Sequence, residues 1–432
     1  MIDRLERGDL PPAIVVPPPG PQSRALSRRL AASEAPGINT LGAADEPALV
    51  WREALGSNVL DVDGNLFVDL TAGFGVATLG HRHPRVVAAV AAQAGRLLHG
   101  LGDVAAHPLR VELAERLAAL APVDEGRVHF AVSGADAIEI ALKTALAATG
   151  RPGILAFEPG YHGVTLGALA VSSRDAFRRP FAPQLHPHVR RLPFGCATDA
   201  LARALGSDEI GAVVVEPIVG REGAILPPAG WLAELAALAR ARGALFVADE
   251  IFTGFGRTGA LFAVDVEGVR PDLLCCGKAL GGGLPIAAVI GERRWMEVWR
   301  GPGEALHTGT FVAHPLACAA ALATLDVIAD EKLVERAARG ATLLGEPLAS
   351  LAGRHPSVLE RRGRGFLWAL AMDSPARAKQ AAAALRTRGV LLLAGGAGGD
   401  VLQIAPPLTI TAGQIAAAVA LLDESLAEAG RA

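Results

Sequence analysis

From residue 127 onward, short apolar runs end in polar residues: VHFAVSG, GILAFEPG, IGAVVVEP, ALFVADE, DLLCCGK and LPIAAVIG. Each run is apolar at consecutive positions, so both faces of the strand it predicts must be covered. Between the runs lie stretches with apolar residues at helical spacing, among them 135–148 and 229–242. Strands buried on both faces and alternating with helices predict an α/β unit around a parallel or mixed sheet. Upstream, 84–98 and 107–121 carry helical periods, and DVDGNLFVDL predicts a hairpin turning at Asp63–Gly64. Residues 1–40, rich in Pro, Ala and Arg, predict an irregular arm with one short helix near Ser23–Glu34. After a long helix near 315–329 the chain reads helix–strand–helix–strand–helix, ending with 411–429, which predicts a smaller α+β domain. No internal repeat is visible.

Composition narrows the function classes. Of 432 residues, 51% are hydrophobic, which supports a large core and excludes global disorder. The net charge is −3 and no basic stretch is interleaved with aromatics, so no nucleic-acid partner is expected. No apolar run reaches the length of about 18 residues that a transmembrane helix needs, and MIDRLERGDLPP lacks an apolar signal core. Cys196, Cys275, Cys276 and Cys318 form no CxxC pair and no Cys/His cluster. The expectation is a reduced, cytoplasmic chain without a metal site.

In open α/β sheets, ligands bind beyond the carboxyl ends of the strands. The predicted strands deliver Ser133-Gly134-Ala135-Asp136, Tyr161-His162-Gly163, Glu216-Pro217, Asp249-Glu250 and Gly277-Lys278 to that edge. Ser-Gly-Ala opening a helix is a candidate phosphate cradle, because free N–H groups and the helix dipole both favour an anion; a plain N-cap explains the same residues. The run Gly281-Gly282-Gly283 lacks a P-loop continuation and opens no dinucleotide-binding unit. Lysine is scarce, and Lys143, Lys332 and Lys379 each sit in a helix-surface context. Lys278 instead follows a buried run, and an apolar setting lowers a lysine's pKa and makes it nucleophilic. A lysine snorkelling at a strand end is the alternative. Asp249 ends ALFVAD, a run with no solvent face, and a buried carboxylate needs a cation or a strong donor. A lysine Schiff base, a carboxylate for a pyridinium nitrogen and a phosphate cradle together specify pyridoxal phosphate.

DEIFTGFGRTG (249–259) followed by PDLLCCGKALGGGLPIAA (271–288) resembles the class III, ornithine/4-aminobutyrate-type, pyridoxal-phosphate-dependent aminotransferases. So do DLTAGFGVATLGHRHP (69–84), SGADAIEIALKTA (133–145), YHG (161–163), EPI (216–218), HTGTFVAHPLACAAAL (307–322) and APPLTIT (405–411), over roughly residues 45–425. The resemblance implies a type I fold with a large domain of mostly parallel sheet between helices. It implies an N-terminal arm over 1–45, a small domain built from 46–75 with 326–432, and a large cofactor-binding domain over 76–325. It also implies a homodimer with shared active sites. Carried over by position, Lys278 resembles the Schiff-base lysine and Asp249 the pyridinium partner. Gly134 and Ala135 resemble the phosphate cradle, Tyr161 and Ile251 the residues on the two faces of the cofactor ring, and Glu216 a carboxylate beside the site. Thr310 resembles a hydroxyl that reaches the neighbouring subunit's phosphate. His162 has no implied role, and Arg257 resembles a structural residue.

Three departures bear on the substrate. Members that use glutamate or 2-oxoglutarate often read YHGRT where this chain has Val164, carry arginine where it has Gln403, and read DEVQ where it has Phe252. The clamp of two arginines for a dicarboxylate is therefore expected to be missing. Another arginine, such as Arg221 after the Glu216 strand, sits on a loop that the sequence does not locate. The expected function is amino transfer from an amino acid or amine to a keto acid through a Lys278 Schiff base, not restricted to dicarboxylates. The alternative is an amino-acid racemase or epimerase on the same fold, since one lysine and one electron sink serve both chemistries.

Overall fold

The computed structural model describes residues 4–37, 46–206 and 208–431. The chain divides into two compact units, one of residues 1–83 with 339–432 and one of residues 84–338.

The central unit is built on a seven-stranded sheet. In spatial order its strands are Arg127–Ala131, Ala287–Gly291, Leu273–Cys276, Leu245–Asp249, Ile210–Val215, Gly153–Glu158 and Val189–Pro193. Ala287–Gly291 runs antiparallel to both neighbours and every other pair is parallel. The sequence left parallel and mixed open. Only ten residues separate Cys276 from Ala287, and a parallel return needs a crossover of a dozen or more. Ile210–Val215 and Leu245–Asp249 are buried at every position, as their consecutive apolar residues require. Each fully buried Val, Leu, Ile or Phe contributes about 1.5–3 kcal/mol. Among the helices, Gly134–Thr149 buries Ile138, Ile140, Ala141 and Thr144, and Gly150 ends it in the left-handed conformation.

The edge strand Val189–Pro193 was not expected. Its sequence, VRRLP, is half exposed and charged, which suits an edge and hides it from an apolar pattern.

In the unit formed by the two chain ends, Asn58–Asp61 and Leu66–Asp69 pair antiparallel around the expected Asp63–Gly64 turn. Asp61 holds that turn by accepting from the N–H groups of Asp63 and Asn65. The helix expected near Ser23–Glu34 is Pro21–Ala31. Residues 38–45 of the expected arm, and 1–3, lie outside the described residues. A second sheet orders Val358–Arg364, Leu367–Met372, Val401–Ile404 and Leu393–Gly395; with Val390–Leu391, which pairs with Leu66–Asp69, the C-terminal stretch has three strands more than the sequence pattern gave. Leu359-Glu360-Arg361-Arg362 is too polar to read as a strand, and Gly365, at φ 62°, turns it into its partner.

Candidate active site

The carboxyl ends of the central strands bring the chemistry together. Asp249 ends a buried strand and pairs in register with Cys275 of the next strand, three residues before Lys278. Lys278 has a φ of 38°. That left-handed conformation is unfavourable for a residue with a side chain, and such residues cluster at functional sites. Gly134 opens the Gly134–Thr149 helix, and Ser133 caps it by accepting from the N–H of Asp136 at 3.2 Å.

Close backbone approaches fix these pieces. A Cβ on Gly134 would lie 3.0 Å from two carbons of Ile251, and one on Gly277 would lie 3.7 Å from Ile251 Cγ2. Ile251 therefore bridges the helix start and the residue before Lys278. Gly163, at φ 124°, would meet Ala135 Cβ at 2.6 Å if it carried a Cβ, so the Tyr161-His162-Gly163 loop seats directly on the helix start. Gly220 seats in the same way on the ring of Phe252, where a Cβ would approach to 2.4 Å. That ring lies 4.8 Å from Lys278 Nζ.

The acids are held by protein donors. Asp249 Oδ2 lies 2.7 Å from His162 Nδ1, and Asp249 Oδ1 accepts from the N–H of Ile251 at 3.1 Å. Burial works against a charged His162, but the hydrogen bond and charge of Asp249 outweigh it, and the imidazole pKa is raised. Glu216 accepts from the N–H groups of Tyr161 and Gly220 at 2.8 and 3.0 Å. Burial raises its pKa, against the pull of His162.

The cations are not held in this way. Burial lowers the pKa of Lys278, partly offset by the charges of Asp249 and Glu216 and reinforced by Arg221. No hydrogen bond or ion pair joins Lys278 to any of the described residues; its neighbour is the Phe252 ring.

Gly134, Ala135, Tyr161, Glu216, Asp249, Ile251 and Lys278 thus share one neighbourhood. Thr310 is exposed in a turn closed by the Val312 N–H on Gly309, and no hydrogen bond joins it to the others. Val164 is 57% exposed. Arg257 is fully buried. Sequence reasoning gave His162 no role, yet it is the direct partner of Asp249. Its signal was a histidine beside a strand end in a sheet that already carried a buried acid. Arg221, which the sequence left unplaced, lies with its Cζ 4.2 Å from the Tyr161 ring centre.

This arrangement fits a phosphorylated pyridine aldehyde. The N–H groups of Gly134 and Ala135 belong to the first helical turn, which has no intrahelical acceptor for them, and neither residue carries a polar side chain that would fill the cradle. Lys278 is an amine with no hydrogen-bond or ion-pair partner among the described residues. Asp249 is an oriented acid with lone pairs left over. These are the donor, nucleophile and acceptor such a group requires.

Comparison with known proteins agrees. The family model described as aminotransferase class-III matches residues 41–426. The acetylornithine aminotransferase of Methanothermobacter thermautotrophicus is 40% identical over 381 residues, 88% of this chain and 94% of that protein. That of Mycobacterium tuberculosis is 42% identical over 385 residues, 88% and 93% respectively. Among solved structures, the ornithine aminotransferase of Toxoplasma gondii ME49 superposes with a TM-score of 0.84 at 32% identity, covering 94% of both chains. An amine transaminase from an uncultivated Pseudomonas species, solved in its PLP-bound form, superposes at 0.83 and 32% identity, covering 92% of this chain and 99% of that one.

Proposed function

We propose that Lys278 carries the cofactor and moves the proton in this chain, which belongs to the class III aminotransferases. Pyridoxal phosphate is its cofactor and amino transfer its reaction. Its named relatives transfer amino groups, which does not favour the racemase alternative.

The cofactor supplies a carbonyl carbon that accepts the amino group and a ring that spreads the charge left by a departing proton. The protein's residues divide the remaining work. The N–H groups of Gly134 and Ala135, at the positive end of a helix, receive the phosphate. Ile251 and Tyr161 would pack against the ring. Asp249, its Oδ2 oriented by His162, would hold a proton on the ring nitrogen, and Glu216 adds a carboxylate beside the site. Lys278 would hold the cofactor through its amine; its lowered pKa keeps more of that amine neutral, able to attack a carbonyl carbon and to take and return a substrate proton. The observation that carries this reading is an unpaired, strained Lys278 beside a buried and oriented Asp249.

Thr310 acts across a homodimer interface, reaching the neighbouring subunit's phosphate, and the enzyme works in the cytoplasm. Sedimentation at assay concentration tests the first point: a fully active monomer contradicts it. The keto acid carries one carboxylate, with pyruvate preferred to 2-oxoglutarate. Val164, exposed and apolar, gives a second carboxylate no donor, and an ion that loses water without gaining a partner is costly. Steady-state kinetics decide this point: kcat/KM higher for pyruvate supports it, and kcat/KM higher for 2-oxoglutarate overturns it.

A further inference from the structure

Arg221 is a half-buried guanidinium that no described residue neutralises. Its Cζ stands 4.2 Å from the centre of the Tyr161 ring and 5.2 Å from that of Phe177. Among the described residues it has no hydrogen bond and no ion pair. The acids that stand closest in sequence are already engaged. Glu222 accepts from Arg174 Nη2 with both oxygens, at 2.7 and 2.8 Å, and its side chain is 1% exposed. Glu216 is committed to two backbone N–H groups. Arg221 is nonetheless close enough to the chemistry for its charge to bear on Lys278. Its position is built: Gly220 packs on the Phe252 ring, which a side chain at 220 would prevent, and Tyr161 gives the planar guanidinium a flat surface.

We infer that Arg221 is the carboxylate anchor of the substrate site. A guanidinium held on an aromatic ring with its N–H groups uncommitted matches the geometry of a carboxylate, which it binds through two parallel charge-assisted hydrogen bonds. The ligand class is an amino acid, and the keto acid that replaces it, with its single carboxylate on Arg221 and its amino- or oxo-bearing carbon toward Lys278. One such cation accommodates one carboxylate, the same count that Val164 implies. The inference rests on the placement of the reaction at Lys278.

The test uses the holoenzyme and pairs each amino acid with the amine left when its carboxylate is removed: L-alanine with ethylamine, 4-aminobutyrate with propylamine, and L-norvaline with butylamine. Single-turnover changes in the cofactor absorbance give kcat/KM for each. In Arg221→Ala the preference for the best amino acid over its paired amine is expected to fall about 10- to 100-fold, mostly through KM, and Arg221→Lys to recover part of it. Propionate, a carboxylate without an amine, is expected to shift the absorbance band of the wild type saturably and that of Arg221→Ala only at concentrations at least about tenfold higher. An unchanged preference and an unchanged propionate response, in a variant that keeps the wild-type cofactor band and melting temperature, overturn the inference. Borohydride labelling of the same samples separates the two claims. A label on Lys278 with an unchanged preference removes Arg221 alone, whereas a label elsewhere removes the Lys278 reading.

Discussion

Glu216, Asp249 and Glu250 stand at the same sheet end as Lys278 and Arg221, yet the acids and the cations are housed in opposite ways. Each acid is met by protein donors: backbone N–H groups for Glu216, His162 and the Ile251 N–H for Asp249, and the Thr253 hydroxyl with the Val264 N–H for Glu250. Among the described residues, the two cations have no hydrogen bond or ion pair and pack on aromatic rings. A buried group that folding leaves unpaired costs stability, so pairing the acids fixes their positions while the cations stay open to anionic and carbonyl ligands. On the proposed reading, the acids set geometry and the cations receive cofactor and substrate.

Changes at Lys278, Asp249 and Val164 test this division, with effects of decreasing size. Lys278→Ala should lower turnover by roughly 10⁴-fold or more while leaving the melting temperature within a few degrees, because nucleophile and proton carrier are lost together. Stopped-flow and calorimetry check both halves. Asp249→Asn should lower kcat by roughly 10²- to 10³-fold, since a neutral amide does not hold a ring-nitrogen proton; near-normal turnover would contradict the role. Val164→Arg restores a donor for a second carboxylate and should raise kcat/KM for 2-oxoglutarate by about 10-fold, while an unchanged value would show that this position does not face the substrate.

A separate effect, on stability rather than turnover, concerns Glu250, whose burial raises its pKa from 4.5 to about 7. The unfolded chain releases this proton near 4.5 and the folded chain near 7, so folding binds the proton across that window and stability falls as pH rises through it. Glu250→Gln keeps an acceptor for the Val264 N–H and loses the titration. Its stability should therefore fall less between pH 4.5 and 7, by on the order of a few kcal/mol, a difference read from melting temperatures at a series of pH values.

The buried strands and their polar ends were legible because consecutive apolar residues leave few alternatives. The helix starting at Gly134 and that at Pro315 lie within a residue or two of their expected starts for the same reason. What stayed hidden lacked an apolar signature: the charged edge strand Val189–Pro193 and the Arg-rich strand Val358–Arg364. The antiparallel return of Ala287–Gly291 follows from a connection length rather than from the strand itself. In the site, Lys278 and Asp249 stood out one residue at a time. The pairing of His162 with Asp249 and the stacking of Arg221 on Tyr161 join positions 87 and 60 residues apart, and no local pattern encodes such distances.

The proposed chemistry depends on which lysine carries the cofactor. The chain has four, Lys143, Lys278, Lys332 and Lys379, and only Lys278 lies at the carboxyl end of the buried strands beside Asp249. Reduction of the holoprotein with borohydride, followed by mass spectrometry of its peptides, fixes the Schiff base where it forms. The phosphopyridoxyl group is predicted on the peptide containing Lys278, with a stoichiometry near one per chain. The same mass on Lys143, Lys332 or Lys379, or its absence from a protein that transfers amino groups, would contradict the account.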